Sequence, residues 1–141
     1  MTAPITLYTH PMSRGRTARW MLEECGATYD TVVLDYGTSM KAPAYLAINP
    51  MGKVPALTHG DIVVTEQAAI CAYLADLFPE KKLAPAVGSP QRGAYYRWLF
   101  FAAAPLEAFR FSLHAAIARR PSALTPAISA AMRLAARRLS V

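Results

Sequence analysis

Cysteine is scarce in this 141-residue chain: Cys25 and Cys71 stand alone, in neither a CxxC pair nor a metal-ligand spacing. That excludes a disulfide framework and a zinc module, and two isolated thiols suit a reducing, cytoplasmic setting. Long apolar runs are missing too. None approaches the roughly 20 residues that span a bilayer, so no membrane partner is expected. The aromatic stretch from Tyr95 to Phe101 is broken by Arg97 and reads as a buried helix. The start, Met1-Thr2-Ala3-Pro4-Ile5, has no basic segment leading into an apolar one, so no secretion signal is expected.

Acid is absent from the last stretch. Residues 1 to 109 balance nine Lys or Arg against nine Asp or Glu, whereas residues 110 to 141 hold six arginines and no carboxylate. The net charge of +6 therefore belongs to the tail. A basic tail can meet nucleic acid or an anionic surface. Here it lacks interleaved aromatics after Phe111 and any nucleic-acid motif, so neither partner is expected.

What is present is a regular alternation of elements. Ile5 to Tyr8 reads as a strand and His10-Pro11-Met12-Ser13 as a break, with Ser13 placed to cap a helix. Ala18, Met21, Leu22 and Cys25 fall on one helical face, and Gly26 stops that helix. Tyr29 to Leu34 is a second strand, which completes a right-handed parallel βαβ unit. Lys41 to Ile48 fits a short helix ended before Asn49-Pro50. Val54 to Thr58 and Ile62 to Val64 read as strands joined by a hairpin turn at His59-Gly60-Asp61. Ile70, Tyr73, Leu74, Leu77 and Phe78 repeat at helical spacing before Pro79. The order is βαβαββα, an α/β fold. Pro85 to Pro90 is a linker candidate, and helical character resumes from residue 91.

Pro55 does not suit this pattern, because proline removes a ladder donor from a strand. Two geometries are open. A cis Val54–Pro55 bond would turn the Val54 main chain toward an extended peptide ligand; a trans bond would merely end a loop.

Three segments together carry a resemblance: Leu7-Tyr8-Thr9-His10-Pro11-Met12-Ser13-Arg14, Asn49-Pro50-Met51-Gly52-Lys53-Val54-Pro55-Ala56-Leu57 and Thr65-Glu66-Gln67-Ala68-Ala69-Ile70. From residue 3 to about 107 the chain resembles the glutathione S-transferases, in particular bacterial cytosolic members. The resemblance implies a thioredoxin-like glutathione-binding domain over residues 1–84 and a shortened all-α C-terminal domain over residues 90–141. It also implies a cis bond at Pro55. The implied activity is conjugation of the glutathione thiolate to a small electrophile, with glutathione as co-substrate, no metal, and a cytoplasmic homodimer. Alternatives are a non-catalytic glutathione-binding module and a glutathione-dependent isomerase or dehalogenase.

The resemblance also distributes roles. Ser13 matches the thiol-activating position, with Tyr8, His10 and Arg14 as reserves and Arg14 among the glutathione contacts. A hydroxyl donor at a helix N-terminus stabilises a thiolate, which a free thiol of pKa about 8.5 forms sparingly at neutral pH. Glu66 and Gln67 would hold the γ-glutamyl end, Lys53 the glycine carboxylate, and Val54 with Pro55 the cysteinyl backbone. Each also has an ordinary role: an N-cap for Ser13, dipole compensation for Glu66, solvation for Lys53. Cys25 and Cys71 read as core, and the adjacent Glu23 and Glu24 point apart on a helix. After Glu107 the resemblance ends. The expectation there is an altered reading of the gene or a natural truncation, with a loop bracketed by Pro121 and Pro126 and a helix over Ala127 to Leu139.

Overall fold

The computed structural model describes residues 3–106, 108, 109 and 112. These divide into two compact units, one running to Phe100 and the other starting at Phe101. The first contains strand β1 (Ile5–Thr9), helix α1 (Gly15–Cys25), β2 (Asp30–Val33), a 3-10 turn at Ser39–Lys41, α2 (Pro43–Leu46), β3 (Ala56–His59), β4 (Ile62–Thr65), α3 (Gln67–Leu77) and most of α4 (Arg92–Phe101). The sheet order is β2-β1-β3-β4, with β1 parallel to β2 and antiparallel to β3, and β3 antiparallel to β4. This is the thioredoxin-like arrangement of a βαβ unit joined to a ββα unit.

Strand alternation sends Ile5 and Leu7 to one face of the sheet, where Ala18, Leu22 and Cys25 of α1 meet Ile70 and Leu74 of α3. Ala18 has no side chain beyond Cβ and is fully buried, which lets α1 lie close. On the opposite face Leu34, Met40, Tyr45 and Ala56 form a smaller cluster, joined by Tyr8, Ile48 and Val54. The sheet thus has a helical layer on each side. Gly26 ends α1 at φ 62°, donating its N–H to the Glu23 carbonyl at 2.9 Å while Ala27 donates to Leu22 at 3.1 Å. That is the paired closure a left-handed C-terminal glycine makes possible.

Several expectations shift. The ladder of β3 begins at Ala56, so Val54 and Pro55 lie just outside the strand rather than within it. Proline's missing N–H puts that boundary where it is. His59 ends β3, and the turn is the pair Gly60-Asp61, with Gly60 at φ 57°, as a two-residue hairpin requires. The helix expected over Lys41–Ile48 is split at Ala42, whose extended backbone (ψ 144°) precedes Pro43 as steric clash with the proline ring demands. The aromatic stretch is helical but not buried: Trp98 is 58% and Phe100 64% exposed. Burial on α4 is confined to Arg92, whose guanidinium grips the Asp76 carboxylate at 2.8 Å and the Pro85 carbonyl at 2.7 Å. The Pro85–Pro90 segment is thereby tied to α3.

The second unit opens with a π-helical turn at Ala102–Leu106, and Ser112 donates its hydroxyl to the Ala108 carbonyl at 3.1 Å. The readings of the arginine-rich tail, of a loop bracketed by Pro121 and Pro126 and of a helix at Ala127–Leu139 lie outside the described residues. Among the described residues no helix is long and apolar enough to cross a membrane.

Leu22 is fully buried between α1, α3 and the sheet. Leu22→Ala is expected to lower the unfolding free energy by about 2–5 kcal/mol, read from urea denaturation of the whole chain.

Candidate functional site

Register decides what meets at the working edge of the sheet. Tyr8 pairs with Ala56, Ala56 with Thr65, and Thr9 with Val33. The C-terminal ends of β1, β2 and β4 and the N-terminal end of β3 therefore line up along one edge. Neighbouring strands are about 4.8 Å apart, so the segments beyond them form one cluster: His10–Ser13, Leu34–Tyr36, Lys53–Pro55 and Glu66–Gln67. Helices α1 and α3 both start at this edge. Their N-terminal N–H groups and dipoles favour anions there.

Ser13 sits at the first helix start, one residue earlier than expected for a cap, since Arg14 holds the N-cap position. Its Oγ accepts the N–H of Gly15 at 3.0 Å and of His10 at 3.3 Å, and its hydroxyl donates to the His10 carbonyl at 2.7 Å. His10 is oriented in turn: its Nδ1 accepts the Met12 N–H at 3.1 Å and its ring lies 4.3 Å from that of Tyr36. The Arg14 guanidinium has no partner among the described residues. Gly15 is required by space. A Cβ there would overlap the Thr9 side chain and stand 2.9 Å from Ser13 Oγ.

The second segment is built around Asn49. Gly52, at φ 56°, closes a turn by donating to the Asn49 carbonyl at 2.8 Å. Lys41, which the sequence reading passed over, donates Nζ to the carbonyls of Met51 at 3.3 Å and Gly52 at 3.0 Å. Val54–Pro55 is cis. The Val54 side chain packs inward against the smaller cluster, and its main-chain N–H and C=O enter no hydrogen bond among the described residues. Lys53 is exposed and its ammonium is likewise unpaired among them.

Glu66 heads α3 with φ 68° and ψ 124°, a conformation that costs a residue with a Cβ about 1–3 kcal/mol. Its exposed carboxylate has no partner among the described residues. Gln67 behaves differently: its amide turns back along the helix to Cys71 Sγ, 3.9 Å away. Among the described residues the site edge thus holds two free carboxylates, Asp35 and Glu66, two free cations, Arg14 and Lys53, and one unpaired main-chain donor and acceptor, charges of both signs that a short zwitterionic peptide can meet.

The remaining groups are structural. Burial pushes the Cys25 and Cys71 thiols up. Glu23 accepts from the Tyr29 hydroxyl at 2.6 Å and Glu24 from Trp20 Nε1 at 2.9 Å, so the two carboxylates point to different partners. His59 Nδ1 lies 2.7 Å from the Tyr73 hydroxyl, away from the site. Among the described residues no group of three His, Cys, Asp or Glu is placed to hold a metal ion.

Comparison with known proteins agrees with this fold. Residues 3–76 match the family model described as "Glutathione S-transferase, N-terminal domain". Glutathione S-transferase 1 of Zea mays is 43% identical over 75 residues, which are 52% of this chain and 35% of that protein. A solved glutathione S-transferase from Xylella fastidiosa superimposes with TM-score 0.67 at 34% identity, covering 89% of this chain and 61% of its own. A glutathione transferase homologue from Sulfitobacter, solved with bound glutathione, gives TM-score 0.64 at 31% identity over 72% of this chain and 50% of its own. The fold is that of a thioredoxin-like domain, with the edge cluster at the starts of α1 and α3. The chain belongs to the glutathione S-transferase family. It spans between about a third and three fifths of the length of these relatives.

Two outcomes follow from this geometry. Gly15→Ala is expected to destabilise the fold by about 1–3 kcal/mol through overpacking, measured by urea denaturation. The buried Cys25 thiol and the half-buried Cys71 thiol give a pH dependence of known sign. Their folded pKa values are raised, so their contribution is complete below the unfolded value of about 8.5 and is lost as pH rises through the folded values. Unfolding free energy should fall on that alkaline side, and Cys25→Ser with Cys71→Ser should flatten the slope in denaturant titrations at stepped pH.

Proposed function

We propose that this chain binds glutathione along the edge cluster and presents its thiol for transfer to a small electrophile. The observation that carries the reading is the unpaired Val54 main chain between a free carboxylate and a free ammonium. Glu66 suits the ligand's α-ammonium, and the N–H groups that open α3 suit its α-carboxylate. Lys53 faces the glycine carboxylate, and Arg14 adds positive charge at the thiol end. Val54 pairs with the cysteinyl backbone as one strand pairs with another. The Gln67 side chain contributes less than its position implies, because it lies along α3.

Glutathione supplies the nucleophile, a thiolate. Ser13 stabilises it. The two N–H donors on Ser13 Oγ polarise the hydroxyl, and its hydrogen can rotate from the neutral His10 carbonyl to the charged sulfur. The exchange gains strength because hydrogen bonds to ionised acceptors are roughly twice as strong as neutral ones. The α1 dipole acts in the same direction. The reading includes a cytoplasmic homodimer. A second reading, binding without turnover, is favoured by one observation: the Ser13 hydroxyl is already donated to His10.

Calorimetric titration with glutathione tests the site. Glu66→Ala is expected to weaken binding about 10- to 100-fold, the worth of a hydrogen bond to a charged group. Turnover of a nitro-activated aryl chloride tests the chemistry. Ser13→Ala is expected to lower kcat about 100- to 1000-fold, as removal of a donor to a developing anion does elsewhere, with glutathione affinity nearly unchanged. Binding with no turnover in the unmodified chain would select the second reading. No binding at all would reject both.

A further inference from the structure

The Lys53 carbonyl is where two buried side chains converge. Tyr45, 3% exposed, donates its phenol O–H to it at 2.6 Å, and Asn49, 5% exposed, donates an Nδ2–H at 2.8 Å. A carbonyl oxygen has two lone pairs, and both are engaged. The donors are themselves held. Asn49 Oδ1 accepts the Met51 N–H at 3.2 Å, the Asn49 carbonyl accepts the Gly52 N–H at 2.8 Å, and the Asn49 N–H donates to the Tyr45 carbonyl at 2.9 Å. Burial pushes the Tyr45 phenol up, so it keeps the proton it donates.

The consequence lies one atom further along the chain. The Lys53–Val54 peptide is trans, and in a planar trans unit the C=O and the following N–H point in opposite directions. Fixing the Lys53 carbonyl toward the buried side therefore aims the Val54 N–H away from it. We propose that Tyr45 and Asn49 are positioning residues for glutathione: by engaging the Lys53 carbonyl they orient the peptide plane that presents the Val54 N–H to the ligand's cysteinyl carbonyl. This rests on the glutathione reading above. It gives a reason for a buried amide side chain in a loop whose neighbours are mostly exposed.

The test compares two ligands on the whole chain. Glutathione has the cysteinyl carbonyl; γ-glutamyl ethylamide retains the γ-glutamyl end and lacks it. Tyr45→Phe keeps the ring and removes the donor. It is expected to weaken glutathione binding about three- to tenfold, the worth of one hydrogen bond, and to leave γ-glutamyl ethylamide within about twofold in NMR titration. Asn49→Ala should reproduce the same ligand preference even where its melting temperature falls. Equal weakening of both ligands would mean general loosening and would overturn the proposal, as would an unchanged glutathione affinity in both variants. If the unmodified chain binds neither ligand, the glutathione reading itself is wrong and the positioning role falls with it. If it binds glutathione and the variants do not discriminate, the positioning role alone is wrong.

Discussion

The pairing of Tyr8 with Ala56, and of Ala56 with Thr65, is the constraint on which the rest depends. It places the end of the βαβ unit beside the start of the ββα unit. Side chains far apart in sequence, near positions 13, 53 and 66, then share one edge. A slip of one residue would send Leu57 from the α1–α3 core to the smaller cluster and reverse every side chain of β3. Leu57 is fully buried among Leu7, Leu22 and Ile70, so burial of that leucine locks the register. The candidate edge is in this sense a by-product of core packing. The same buried contacts that stabilise the domain set the spacing between its charged groups.

Polar groups at that edge fall into two kinds. Those facing the interior are saturated: the Lys53 carbonyl by Tyr45 and Asn49, Ser13 Oγ by His10 and Gly15. Those facing outward are free among the described residues: the Val54 main chain, the Lys53 ammonium and the Glu66 carboxylate. An unpaired group costs little while water reaches it and becomes a binding group when a ligand displaces that water. The unfavourable backbone of Glu66 belongs to the same division, since it bends the chain directly from β4 into α3 and leaves the carboxylate at the tip. Rigidity behind and availability in front reduce the ordering cost of binding.

Much of this was legible in the residues. A period-two pattern located β1, period-3.6 patterns located α1 and α3, β-branched and apolar composition located β2, and Gly26 marked the end of α1, where its φ is 62°. Pro55 contradicts a strand, and the contradiction falls at the candidate edge. Other features were not legible, for physical reasons. Local pattern does not report which side of a helix finds a partner, so the aromatics of α4 read as buried although Trp98 and Phe100 are exposed. Pairing between side chain and main chain leaves no periodic trace. Tyr45, Asn49 and Lys41 looked like ordinary members of a short helix and a turn. The one available signal was Asn49-Pro50 followed by Gly52, a turn whose asparagine side chain can hydrogen-bond its own main chain two residues on, as it does with Met51.

On the proposed reading Ser13 is structural and reactive at once. A serine that merely capped α1 would need only to accept the Gly15 N–H. This one accepts a second N–H, from His10, and donates back to the same residue, which closes a small ring around the turn from residue 10 to 13. The ring holds Cβ and Oγ in place, while the hydroxyl hydrogen remains able to rotate. A fixed oxygen with a mobile, polarised hydrogen is what a thiolate nearby requires, because the heavy atoms need not move when charge appears. On that reading the His10 carbonyl is a resting acceptor. It satisfies the hydroxyl when no anion is present and is a weaker competitor than a charged sulfur. Gly15 completes the arrangement by leaving room where any Cβ would press on Oγ.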